Sequence, residues 1–164
     1  MDQKVQLKGR FVVEHRDVDG NLKGTYELPN GIVDEGMNHI LDTQFTGSSQ
    51  VSTWYIGLVD NSGWSAFADA DTLSSHAGWA ESTAYTESNR VTWVEDAAAS
   101  RSISNSATSD YSINATGNLK GIFVSSNNVK STGNTGVLWS TAAFSSVVAT
   151  ANGDTLKVTY TVSG

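Results

Sequence analysis

The stretch DTLKVTYTVSG, residues 154–164, decides the fold class. Leu156, Val158, Tyr160 and Val162 alternate with Lys157, Thr159, Thr161 and Ser163, so one face is apolar and the other polar. A period of two is the signature of a half-buried β-strand. Immediately before it, Asn152 and Gly153 supply a turn signal. Working back along the chain, strand-like runs recur at residues 136–144 (GVLWSTAAF), 119–126 (LKGIFVSS), 111–116 (YSINAT), 100–106 (SRSISNS) and 90–96 (RVTWVED). The segments SSNN (125–128) and STGNTG (131–136) punctuate them. Short strands at roughly 8–12-residue spacing with turn signals predict an antiparallel sandwich or barrel.

The first part of the chain extends the pattern. Residues 4–15 alternate around Val5, Leu7, Phe11 and Val13, and residues 21–28 place Tyr26 and Leu28 on one face. The Asp-Gly turn signal in RDVDGN, residues 16–21, joins the two runs as an N-terminal hairpin over about 4–28. Asp17, Asp19 and Asn21 have the look of a calcium loop. An EF-hand needs Gly at its sixth position and Glu at its twelfth, whereas here Gly20 is fourth and Leu28 is twelfth. The reading is a plain turn. Further on, TWYIGLVD (53–60) is apolar on both faces, which predicts a central strand.

One segment departs from this period. In NGIVDEGMNHILDTQFTG, residues 30–47, Met37, Ile40, Leu41 and Phe45 fall at i, i+3, i+4 and i+8, a helical stripe. Asp34 and Glu35 suit the first turn, and Gly47 is a plausible stop. The expectation is a capping helix over about 33–45 with its stripe packed on strand ends, as scaffold. Asn38, Asp42 and Gln44 form its polar back, and His39 reads as structural or solvent-facing.

At 164 residues the chain predicts one domain, 1–164, mainly β: an antiparallel, jelly-roll-like β-sandwich with one short α-helix near the N-terminus. The net charge of −7 and ten scattered basic residues argue against nucleic-acid binding, which needs clustered Lys and Arg. With no cysteine there is no disulfide framework and no thiolate site. The first residues, MDQKVQLKGRF, hold no apolar run of signal-peptide length, and no segment approaches the roughly 20 apolar residues of a membrane span. The expectation is a protein made in the cytoplasm that contacts no membrane. The sequon at Asn114 carries little weight without a secretion signal.

The long segment 61–80 holds Trp64, Phe67, Leu73 and Trp79. It exceeds the usual connection in a compact domain. Asp60, Asp69 and Asp71 crowd it, with His76, Glu81 and Glu87 beyond. Paired carboxylates of this kind serve glycosidases. No second motif supports a nucleophile or a metal, and the three His residues set no ligand spacing. The chain is therefore expected not to be an enzyme and to need no cofactor or metal.

The ordered series NHILDTQF, TWYIGLVD, DADTLSSHAGWAESTAY, NRVTWVEDAAASRSISNSA, YSINATGNLKGIFVSS, GVLWSTAAFSS and NGDTLKVTYTVSG resembles a family of small structural proteins of tailed bacteriophages. The resemblance covers residues 31–164, with Ala80 in place of the Thr of the family's Gly-Trp-Thr-Glu-like segment. It implies a virion component made in the host cytoplasm. The first expectation is a capsid decoration or cement protein bound to the major capsid protein as a homodimer or homotrimer. A tail or fibre adaptor and a carbohydrate-binding module are the alternatives. Trp64, Phe67 and Trp79 are the candidate capsid contacts, if their loop projects. The competing reading turns these aromatics inward as anchors of the loop.

Overall fold

A computed structural model describes residues 6–164. In chain order these residues form β1 (Lys8–Arg16), β2 (Leu22–Ile32), α1 (Asp34–Phe45), β3 (Trp54–Asp60), β4 (Ala80–Ser82) and β5 (Val91–Trp93). Then come β6 (Ser102–Ser104), β7 (Ser109–Ser112), β8 (Gly117–Ser125), β9 (Leu138–Thr150) and β10 (Thr155–Ser163). The strands pair antiparallel in the order β4-β3-β8-β9-β2-β1-β10-β6, with β5 on β3 and β7 on β10. Val5, placed in the first strand by the sequence pattern, lies outside the described residues.

The β1–β2 hairpin forms as its turn signal requires. Asp17 Oδ1 accepts from the backbone N–H groups of Asp19 (3.0 Å) and Asn21 (2.8 Å), and Gly20 takes φ +83°. Asp17 is thus spent on closing the turn. The hydrogen bonds from Asn21 hold its carboxyl below the ordinary aspartate range. β2 runs on beyond the expected residue 28 and pairs with β9 only at Gly31 and Ile32. There the strand passes from the β1–β10 half of the sheet to the β3–β8–β9 half.

The pairings β1–β10, β2–β9 and β3–β8 are nested, early strands on late ones, which is the jelly-roll-like element of the sandwich. The hairpins β1–β2 and β8–β9 keep its two halves continuous. Phe11, Val13, Leu156, Val158 and Tyr160 of one half are fully buried against Ile56, Leu58, Ile122 and Val124 of the other. Burial of each such side chain stabilises the fold by roughly 1.5–3 kcal/mol. Polar bonds cross the same core: Tyr111 Oη donates to Ile56 O at 2.7 Å, and Trp139 Nε1 donates to Tyr160 Oη at 2.8 Å.

The β3–β8–β9 half is covered on its outer face as well. Val59, Phe123 and Leu138 form a second cluster there with Leu73 and Trp79 from the long segment. This gives β3 its two apolar faces, the pattern that identified it as a central strand. β9 extends to Thr150, beyond the expected residue 144. Its register on β8 jumps between Leu119↔Val148 and Gly121↔Ala143, so residues 144–147 leave the ladder, with Phe144 still buried in the core. The bulge breaks the alternation that marks a strand.

Helix α1 forms where expected and packs differently. Phe45 is 79% exposed, Leu41 50% and Met37 36%, while Ile40 alone of the four stripe residues packs on the core. The buried face carries Val33 and Gly36 instead. A Cβ on Gly36 would sit 2.5 Å from the Trp139 carbonyl oxygen, so only glycine lets the helix lie this close to β9. Glu35 Oε2 accepts the backbone N–H groups of Leu73 (3.0 Å) and Leu138 (2.6 Å), fixing the first turn to the long segment and to β9. The helix is turned by about 100°, one residue, from the phase its apolar residues suggest.

Candidate functional site

The long segment paves the sheet. Trp79 is 5% exposed, its Nε1 donates to Asp71 Oδ2 at 3.0 Å, and its ring packs on Phe123 and, stacked, on His76. Phe67 lies edge-on to both Trp79 and Trp64 and covers Gly121, where a Cβ would meet its ring at 2.7 Å. Trp64 and Phe67 stay half-buried above this layer. The structure brings the three candidate contacts together, but as an edge-to-face cluster lying over the sheet. Trp79 does not project, and inward packing is the arrangement found.

Apart from exposed Asp69, the acidic residues of this region are likewise engaged. Asp60 accepts from Ser62 N, and Asp71 accepts from Ala68 N as well as from Trp79. Glu81 forms a two-pronged pair with buried Arg90, at 2.9 and 2.8 Å, and its Oε2 also accepts from Ser131 N. Glu87 accepts from Ser112 N. Each carboxylate closes a turn or ties loops together, and no two of them are aimed jointly at a cleft. Among the described residues no three His, Asp or Glu side chains gather as a metal would require. Burial pushes the Tyr85, Tyr111 and Tyr160 phenols above the ordinary tyrosine range, so all three remain neutral.

The most concentrated buried polar group is structural too. Asp154 Oδ2 contacts His15 Nε2 at 2.6 Å, Lys23 Nζ at 2.8 Å and Ala151 N at 2.9 Å. It locks the β9–β10 turn to the β1–β2 hairpin. Burial pushes its carboxyl up, and the hydrogen bonds from Lys23, Ala151 and His15 outweigh this and hold it below the ordinary range.

Among the described residues two surfaces stand out as not consumed by the fold. The first is the outer face of α1, where Met37, Leu41 and Phe45 form a continuous i, i+4, i+8 row. A row of large apolar side chains on a charged protein marks an interaction surface more than isolated exposed residues do. The second is a cleft of about 610 Å³ between α1 and the open end of the sandwich. Trp54, Trp93 and Trp139 line it, with His39 edge-on to Trp54 at 5.9 Å and Gln50 and Glu95 also in its lining. The helix therefore walls the end of the sandwich without plugging it. Neither surface shows in the sequence, because exposed and buried apolar residues look alike there and the cleft draws on six separate elements. Gly36 was the available signal: glycine inside a helix costs about 1 kcal/mol against alanine and marks a close approach.

Fold and surfaces together define a class: an antiparallel β-sandwich domain with an apolar helix face and an aromatic cleft at one end. In comparison with known proteins, the chain matches no protein-family model and no curated protein.

Proposed function

We propose that the chain is a structural protein of a tailed-bacteriophage virion, a capsid decoration or cement protein that binds the outer head shell through the exposed face of α1. The observation that carries this reading is the row Met37, Leu41 and Phe45, large apolar side chains left in water by a helix whose other side is fixed by Gly36 and Glu35. A helix anchored this firmly presents its row at little ordering cost, which favours binding. The sequence resemblance supplies the partner, the major capsid protein, and a symmetric shell suits a homodimer or homotrimer. The function is mechanical: burying the row against the shell links neighbouring capsid subunits and stabilises them by mass action. No catalytic residue is assigned. The shell contact is placed first on the helix; of the three loop aromatics Trp79 is buried inside the fold, while Trp64 and Phe67 stay half-buried at the surface.

The test is co-sedimentation of purified protein with particles lacking it. Phe45→Ser and Leu41→Asp should each weaken binding, at roughly 2 kcal/mol for an interface anchor or about thirtyfold in Kd. Undiminished binding by both variants overturns the assignment.

A further inference from the structure

We propose that the cleft beside α1 is a binding site for a neutral oligosaccharide, independent of the shell-docking face. Flat aromatic surfaces and free hydrogen-bonding groups meet there. Trp139 and Trp93 are buried, at 8% and 5% exposure, with their Nε1 groups given to Tyr160 Oη and Asn105 Oδ1, so they back the cleft while Trp54 offers the accessible indole. Trp54, half-buried, stands between His39 and Trp139, at 5.9 and 5.7 Å between ring centroids. Among the described residues the side chains of Gln44, Gln50 and Glu95, all exposed and lining the cleft, make no hydrogen bond to the protein. A pyranose ring has the matching chemistry: an apolar C–H face to lie against an indole and a rim of hydroxyls for amides and a carboxylate.

The volume of about 610 Å³ lies inside the range of small-ligand sites and leaves room for a short oligosaccharide. Charge decides the kind of sugar. Among the described residues Glu95 is the one carboxylate in the lining and no Lys or Arg lines the cleft, and the chain carries −7. Sialylated, uronic or phosphorylated glycans would meet repulsion with nothing to pair with. A quaternary ammonium also favours aromatic walls. It would want carboxylates, where this lining offers mainly amides and hydroxyls from Gln44, Gln50, Thr43 and Ser52.

The experiment is tryptophan-fluorescence titration of the full chain with maltoheptaose, cellohexaose and chitotetraose, beside a sialylated lactose and phosphocholine as charged probes. At least one neutral probe should bind saturably, and the charged probes should not. Trp54→Ala should weaken that binding by roughly tenfold, the worth of one aromatic contact. Because Trp54 also packs on Trp139, Gln50→Leu serves as a second variant outside the core; it should weaken binding at an unchanged Tm. Phe45→Ser should bind sugar like the parent, which separates this site from shell docking. Saturation by none of the neutral probes, binding of a charged probe instead, or full binding by Gln50→Leu together with a folded Trp54→Ala overturns the proposal.

Discussion

Glu35→Ala is the sharpest perturbation of the helix. One carboxylate oxygen accepts two backbone N–H groups, from Leu73 at 3.0 Å and Leu138 at 2.6 Å, which belong to the long segment and to β9. Alanine leaves both donors without a partner at the point where three parts of the chain meet. A hydrogen bond to a charged group contributes about 1.5–3 kcal/mol, so two of them give about 4 kcal/mol, allowing for water reaching a half-buried site. For a domain of this size each kcal/mol moves Tm by roughly 2–4 °C, which predicts a fall of roughly 8–16 °C. Glu35→Gln keeps an acceptor oxygen without the charge and should fall in between. Thermal melts by circular dichroism, with Phe45→Ser as an exposed control, read the effect. A Glu35→Ala protein melting within about 2 °C of the parent would show that these bonds do not anchor the helix, since the loss of even one such bond exceeds that.

Leu41→Asp should change stability by about 1 kcal/mol or less, because the side chain is half in water, in contrast to the large loss a buried stripe would give; chemical denaturation measures it. Glu81→Gln should cost about 3–5 kcal/mol by urea denaturation, because it leaves buried Arg90 without its counter-charge. The Asp154 carboxyl is held below its ordinary pKa of 3.8 in the fold, so its contribution is present above that value and lost as pH falls through the folded pKa. Between pH 5 and 2 the parent should therefore lose Tm more steeply than Asp154→Asn, which should already be less stable at neutral pH; parallel melts across that range check both points.

Strict alternation made much of the fold legible. β10 announces itself because Leu156, Val158, Tyr160 and Val162 all point into one core. β3 announces itself because Ile56 and Leu58 serve the inner cluster while Val59 serves the outer one. Features that depend on tertiary contact were not legible. The phase of α1 is set by the missing side chain of Gly36 against Trp139, which a search for apolar residues overlooks. The length of β9 is masked by its bulge, and the inward turn of Trp79 follows from Asp71, Phe123 and His76 assembling around it. The segment with Trp64, Phe67 and Trp79 could be picked out as a unit, but its direction could not. The cleft is built from residues as distant as His39 and Val162, so only the folded chain displays it.

The proposed shell docking is tested by a cryo-EM reconstruction of phage particles assembled with this chain, at a resolution that orients α1. Docking through α1 predicts many symmetric copies on the outer head shell, with Met37, Leu41 and Phe45 of each copy buried against the capsid protein. Copies confined to the tail, or an α1 whose apolar row faces solvent while another surface meets the shell, would contradict it.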